Sequence, residues 1–241
     1  MDEQDTIAKR IVEACLATQQ ATTKEARSDA EQYLLKFRNS TKPYKLCQHI
    51  LLNSSVPQAQ FQALSTMKEA ALREWSLLSA PEMDLLRKEL LAFAVSRPSL
   101  ERLVVNQLLH VVSVVTKRAW FTDESKSQDL LLGQIVPLLQ SREQASKQLG
   151  LTFCDAVLSE FSSSKSSALG MSWEYHVKCH RSFEQTILRR LFEVVYRVLD
   201  ECAPTGGALQ GDPQFVLACS TVLATILNWE FDESISEGNI P

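Results

Sequence analysis

The chain has 241 residues, 45% of them hydrophobic and 22% charged, with only 7 glycines and 8 prolines; this is the composition of an ordered protein with ample apolar material for a core. A formal net charge of −4 gives no basic stripe for nucleic acid and, weakly, suits basic protein partners better. No run approaches about 18 consecutive apolar residues, which excludes a spanning helix, and the acidic start Met1-Asp2-Glu3-Gln4-Asp5 lacks the order of a secretory leader.

The elements read as amphipathic helices from end to end. A first helix over 6–18 places Ile7, Ile11, Ala14 and Cys15 on one face, and a second over 24–39 carries Ala26, Ala30, Tyr33, Leu34 and Phe37. Pro43 opens a third, to 53, with Tyr44, Cys47, Ile50 and Leu51. Pro57 opens the clearest one, to 78, with Phe61, Leu64, Ala71, Leu72, Trp75 and Leu78 at steps of three and four. Ser79-Ala80-Pro81-Glu82 reads as a cap, a proline at the second helical position and an acidic residue in the first turn of a helix reaching Val95.

After Arg97-Pro98, a helix over 100–119 carries Leu103, Val104, Leu108, Val111, Val112 and Val115. Helices over 128–140 and 143–162 follow, the second with Leu149, Phe153, Val157 and Phe161. The stretch Ser162-Ser163-Ser164-Lys165-Ser166-Ser167 reads as a polar flexible loop, 162–171, within the pattern; as a solvated linker it needs no role, though it could take phosphate. A long helix over 172–202 has Phe183, Ile187, Leu191, Val194 and Val198; Pro204-Thr205-Gly206-Gly207 breaks it. Pro213 starts the last helix, with Phe215, Ala218, Val222, Ile226 and Trp229, and 231–241 reads as a polar tail. The aromatics Phe61, Trp75, Phe153 and Trp229 are expected in the core.

First helices of successive pairs start near 42, 81, 126 and 172, so the period is about 39 to 46 residues, the range of HEAT or armadillo units and longer than tetratricopeptide or ankyrin repeats. The predicted fold is all-α, a HEAT/armadillo-like α-solenoid of about five helix pairs over 1–230 forming a right-handed superhelix. Such folds bind macromolecules along a curved surface more often than they catalyse.

The residues that could carry chemistry are few. Six cysteines (Cys15, Cys47, Cys154, Cys179, Cys202, Cys219) are scattered without a Cys-x-x-Cys pair, each where a small hydrophobe would serve, so reduced thiols in cytosol or nucleus are expected. The sequons at Asn39 and Asn53 then carry no meaning. His176, Cys179 and His180 share a helix face at i, i+3 and i+4, but zinc needs a fourth ligand and none is spaced to supply it; polar packing is expected, with no metal and no cofactor. There is no nucleophile elbow and no phosphate-cradling loop, and Gly206-Gly207 follows a helix, not a strand. An enzyme is not expected.

Several stretches taken together carry a family resemblance: Phe37-Arg38-Asn39-Ser40 with Pro43-Tyr44-x-x-Cys47-x-His49-Ile50-Leu51; Phe61-Gln62-Ala63 with Glu69-Ala70-Ala71-Leu72-Arg73-Glu74-Trp75; Thr116-Lys117-Arg118; Leu158-Ser159-Glu160-Phe161-Ser162-Ser163-Ser164-Lys165; and Glu174-x-His176-x-x-Cys179. With these the chain, over about 31–229, resembles the N-terminal region of importin-β-type nuclear transport receptors, the exportins among them. The resemblance implies a HEAT-repeat superhelix whose first repeats hold the small GTPase Ran in its GTP form, protein cargo carried from nucleus to cytoplasm through contacts with nuclear pore proteins, and shuttling between the two compartments. It implies no nucleic acid and no membrane insertion. It also implies that the second helix of each pair lines the concave face. That makes Glu69, Arg73, Asn106, His110, Lys117 and Arg118 the candidates for Ran contact. Lys117-Arg118 is the sharpest, since two adjacent cations at a helix end can pair with acidic side chains of a partner; equally, they can complement the helix dipole and solvate the surface. Two rival readings stay open: a HEAT scaffold that assembles proteins without Ran, and a truncated segment that binds Ran but carries no cargo.

Overall fold

The computed structural model describes residues 3–122, 124–162, 170–202 and 212–231. The serine run beyond Ser162, the Pro204-Thr205-Gly206-Gly207 break and the tail from 232 lie outside the described residues. All regular structure among the described residues is helical, with no strand, and consecutive helices pack in pairs. This is the all-α, HEAT-like class that the periodicity predicts. Two compact units divide the chain, Met1–Val115 and Thr116–Pro241.

In the first unit, α1 (Glu3–Gln20) packs on α2 (Lys24–Arg38), and α3 (Tyr44–Asn53) on α4 (Pro57–Arg73). The links are short, which makes neighbours antiparallel. Helix α1 also packs against α3 and α4, and α2 against α4. The stripes meet in a core of Ile11, Cys15, Phe37, Cys47, Ile50, Leu64 and Met67, all buried. Thr23 starts α2 by accepting the Ala26 N–H at 3.2 Å. Helix α4 begins on Pro57 at its first position and ends at Arg73; the expected continuation to 78 becomes a single 3₁₀ turn, Trp75–Leu77. Helix α5 (Ala80–Val95) opens on the capping box expected at Ser79, whose N–H donates to Glu82 Oε2 at 2.8 Å. Helix α6 (Arg102–Ala119), whose last four residues from Thr116 on count with the second unit, buries Val104, Leu108, Val111, Val112 and Val115. Several expectations fail here, and Ala26, predicted on the apolar face of α2, is exposed. Leu103 is 50% exposed, and Phe61 and Trp75 are half-buried where the core was expected; Trp75 loses its place in the stripe because α4 has ended and the chain has passed into the 3₁₀ turn.

In the second unit, α7 (Glu124–Leu139) packs on α8 (Gln144–Phe161). Gly150 permits that approach: a Cβ there would meet Leu139 Cδ2 at 3.0 Å and Leu138 Cβ at 3.1 Å. The long helix predicted over 172–202 is two segments, α9 (Trp173–Phe183) and α10 (Arg189–Cys202), joined by a π turn, Glu184–Leu188. The inserted residue shifts the stripe, so Val195, not Val194, is buried. Ser172 caps α9, and Asp212 caps α11 (Pro213–Leu227) by accepting the Gln214 N–H at 3.1 Å. Helix α11 packs on α10 and α8. The core is aromatic: the Trp120 and Phe161 rings meet edge to face at 4.8 Å, Phe161 stacks on Phe183 at 4.6 Å, and Phe183 on Trp229 at 5.7 Å. Trp229 and Phe153 are core residues as expected.

Candidate protein-interaction surface

Helix α4 turns a second, polar stripe away from its apolar one: Gln62, Ser65, Glu69 and Arg73 recur at steps of three and four. Side chains of α2 and α6 meet it. Arg38 of α2 donates to Gln62 Oε1 at 3.3 Å and lies 3.6 Å from Glu69 Oε1, both side chains of that ion pair being 39% exposed. Gln107 of α6 donates to Ser65 Oγ at 3.1 Å, and Lys68 Nζ lies 3.3 Å from His110 Nε2. An ammonium can only donate, so at this contact His110 Nε2 accepts the hydrogen bond from Lys68. A polar ladder therefore runs across α2, α4 and α6 in the first unit. Gln62 and Ser65 are buried at its foot, while the Arg38–Glu69 pair stands half in water, where an ion pair adds little stability.

Glu69 and His110 are rungs of this ladder, and Asn106 is exposed on α6 one turn before His110. Arg73 has a local duty. Its guanidinium donates to the Ser40 carbonyl at 2.7 Å and lies 3.5 Å from the buried Glu74 carboxylate. Glu74 in turn accepts the Lys42 N–H at 3.0 Å. Lys42 has φ of 47°, a left-handed conformation costing a non-glycine residue about 1–2 kcal/mol, and the Arg73–Glu74 clamp holds the α2–α3 turn in it. Burial and the Glu74 charge together push the Tyr44 hydroxyl well above the usual tyrosine range.

Lys117 and Arg118 belong to the second unit, and they do not form the displayed pair of cations expected from the sequence. Lys117 is 1% exposed; its ammonium donates to the Glu160 carbonyl, lies 3.6 Å from Glu160 Oε1 and sits 5.6 Å from the Phe161 ring centroid. Burial lowers its pKa, opposed by the Glu160 charge. Arg118 is half-buried. The carbonyls of Lys117 and Arg118, which end α6, both accept the Tyr175 hydroxyl, at 2.7 and 3.0 Å, satisfying groups that a helix end leaves without partners. The reason for the correction is legible in α6 itself: positions 111–117 are buried without a break, and a helix covered on all sides takes its cation inside.

The other sequence candidates resolve into packing. Cys179 Sγ lies 4.0 Å from the Lys117 carbonyl, and the two ring nitrogens of His180 face the carbonyls of Phe161 and Glu230 at 3.1 and 2.9 Å. These atoms point at backbone oxygens in different directions, and among the described residues no group of side chains could hold a metal ion. All six cysteines are free and five are buried; burial pushes the Cys15 and Cys219 thiols up to about 11. Arg38, Gln62, Ser65, Lys68 and Gln107 were missed. The signal that could have found them is the second polar periodicity on each helix, read beside the apolar one.

The family model for exportin-4 matches residues 1–238. Among curated proteins, Exportin-4 of Dictyostelium discoideum is 26% identical over 238 residues, 91% of this chain and 21% of that protein. Exportin-7-A of Xenopus laevis is 22% identical over 222 residues, 90% of this chain and 20% of its own length. The chain thus spans about a fifth of the length of the curated relatives it matches.

Proposed function

The chain belongs to the exportin-4 family, and from that premise we propose that it is the Ran-binding segment of a nuclear export receptor, docking Ran in its GTP form on the polar ladder of α2, α4 and α6. The observation that carries the reading is the group of half-exposed polar side chains on those three helices, Arg38, Lys68, Glu69, Gln107 and His110, centred on Glu69 and His110. Arg38, Lys68 and Glu69 pair with one another's helices only loosely, so a partner with its own charges can take them over. In the full receptor, RanGTP and protein cargo would each favour the same conformation; linkage makes that coupling reciprocal, and hydrolysis in the cytoplasm would release both. Passage through nuclear pores and shuttling between nucleus and cytoplasm belong to the same proposal.

The test is a pulldown of Ran locked in its GTP and GDP forms. Selective capture of the GTP form is expected, weakened about ten-fold or more by Glu69→Lys with Lys68→Glu. Equal or absent binding of both forms rejects the reading in favour of a Ran-independent scaffold. Because the chain spans a fifth of its relatives, cargo transport is tested separately: if added cargo leaves RanGTP affinity unchanged, this segment binds Ran without carrying cargo.

A further inference from the structure

His180 is packed inside the second unit, 6% exposed, and both of its ring nitrogens point at oxygens that can only accept. Nδ1 lies 3.1 Å from the Phe161 carbonyl, at the end of α8, and Nε2 lies 2.9 Å from the Glu230 carbonyl, in the turn that follows α11. A neutral imidazole has one N–H and one bare lone pair. Whichever tautomer it takes, one nitrogen then faces a carbonyl oxygen lone pair to lone pair at hydrogen-bond distance. Only the imidazolium, with a proton on each nitrogen, donates to both.

The surroundings suit that charge. Glu184 Oε2 lies 3.7 Å from Nε2, on a side chain 1% exposed. The Trp229 ring lies 2° from parallel to the imidazole with centroids 4.7 Å apart, so an indole face meets the cation. The other ionisable groups on the elements packed around the ring are Lys117 and Arg118 at the end of α6, Asp155 and Glu160 on α8, His176 and Arg181 on α9, and Glu230. Lys117 has its own carboxylate in Glu160, and Glu184 supplies one to His180. Burial opposes a charge; two carbonyls, a carboxylate and an aromatic face, all set against one ring, answer it.

We propose that His180 is held as an imidazolium and staples the turn 228–231 to the end of α8, so that the grip on this turn depends on one proton. The two bonds are unequal. Phe161 is 0% exposed, whereas Glu230 is exposed. When the pH rises and one proton leaves, the other stays on Nδ1, because stripping the buried carbonyl of its donor is costly, and the Glu230 carbonyl turns to water. The turn after α11 then comes loose from α9 while the aromatic core stays closed. The sign is that of a group protonated in the native state: the grip is full while both nitrogens carry protons and is lost as the pH rises, and acid does not weaken it. The inference stands independently of Ran, which the proposed function places on the first unit.

The experiment uses the 241-residue chain labelled with ¹⁵N-histidine. It holds 4 histidines, and His180 is assigned by elimination from the signals lost in His49→Gln, His110→Gln and His176→Gln. Long-range ¹H–¹⁵N spectra separate a protonated ring nitrogen from a bare one. At about pH 7.5, roughly one unit above the usual histidine value of about 6.5, His180 should show both nitrogens protonated, where a solvated ring is about nine-tenths neutral. At higher pH, Nε2 should be the nitrogen that loses its proton. The Trp229 indole ¹⁵N–¹H resonance, assigned by its loss in Trp229→Phe, should move with the same midpoint. Glu184→Gln, which removes the counter-charge and keeps the shape, should let the proton leave about ten-fold more readily, a midpoint about one pH unit lower. The spectrum of the parent chain needs no buried variant and decides the matter even if Glu184→Gln or Trp229→Phe fails to fold. The proposal is overturned by a bare nitrogen on His180 at about pH 7.5, by loss from Nδ1 in place of Nε2, by a Trp229 signal indifferent to that loss, or by an unmoved midpoint in folded Glu184→Gln.

Discussion

Arg73 and Lys117 hold the same kind of position, a cation in the last turn of the second helix of a pair, yet the two units use them in opposite ways. In the first unit Arg73 keeps 39% of its side chain in water and reaches a neighbouring turn. In the second unit Lys117 is sealed in, with Glu160 as counter-charge and Phe161 beside it. Position in the sequence pattern is shared; what differs is how much of the helix surface is already covered. A cation at an uncovered end costs nothing to hydrate and stays exchangeable, whereas one inside a closed shell is bound to a fixed partner. Arg73 therefore stays half in water while it bonds a neighbouring turn, whereas Lys117 is committed wholly to Glu160, its carbonyl and its carboxylate.

Removing one carboxylate from each unit gives the largest contrast. Glu160→Ala strands the Lys117 ammonium in the core, and breaking a buried pair in this way should cost about 3–5 kcal/mol. Glu69→Ala removes a half-exposed pair and should cost about 0–1 kcal/mol. Urea denaturation of both variants, read as a shift of midpoint at constant slope, checks the difference. Equal losses would erase the distinction between the units.

Packing gives the next contrast, within α7 and α8. Gly150→Leu drives atoms into Leu138 and Leu139 and should destabilise by about 1–3 kcal/mol through overpacking. Gly133 is helical, exposed and has nothing within 4 Å of a built Cβ, so Gly133→Ala should stabilise by about 0.5–1 kcal/mol. Thermal melts of the two variants should move in opposite directions. A smaller loss is expected from Tyr175→Phe, which takes the donor from two helix-end carbonyls and should cost about 0.5–1.5 kcal/mol.

These contrasts also mark what the sequence made legible. Helix starts were, because a start is written in local chemistry: Pro57 and Pro213 sit at first positions and Ser79 with Glu82 forms its box. Stripe centres such as Ile11, Leu64 and Leu108 were too, since a residue in mid-stripe is buried whatever lies opposite. Stripe margins were not, and Leu103 and Phe61 fell on the wrong side, because burial at a margin depends on what lies opposite; Trp75 was misjudged because α4 stops at Arg73 and the 3₁₀ turn breaks its step. Lys117 was the costliest error for the site. Charge marked it as surface, while the crowd of valines before it, Val111, Val112, Val114 and Val115, broken only by the small Ser113 and Thr116, was the signal of a helix buried on more than one face. The ladder was half legible: Glu69 and His110 stood out as charged or titratable, but Gln62, Ser65 and Gln107 became visible only once α2, α4 and α6 were seen to share one polar seam.

The smallest predicted effect, in pH, carries the contrast between the units to a single proton. Burial lowers the His176 pKa from its usual value of 6.5, and the nearby Lys117 charge lowers it further, against the pull of Glu160. The unfolded chain then binds a proton near pH 6.5 that the native chain refuses, so in the interval below 6.5 the unfolded state holds more protons and stability rises with pH. The contribution is complete above pH 6.5 and fades as pH falls through the lowered native value. His176→Gln should therefore flatten the loss of stability on acidification relative to the parent chain, measured as urea midpoints across that interval. Lys117→Met supplies the sharper arm: with the buried cation gone, the His176 ring should titrate at a higher pH by NMR. An unmoved titration would mean that the sealed lysine does not govern its surroundings, and the second unit would lose the feature that sets it apart from the first.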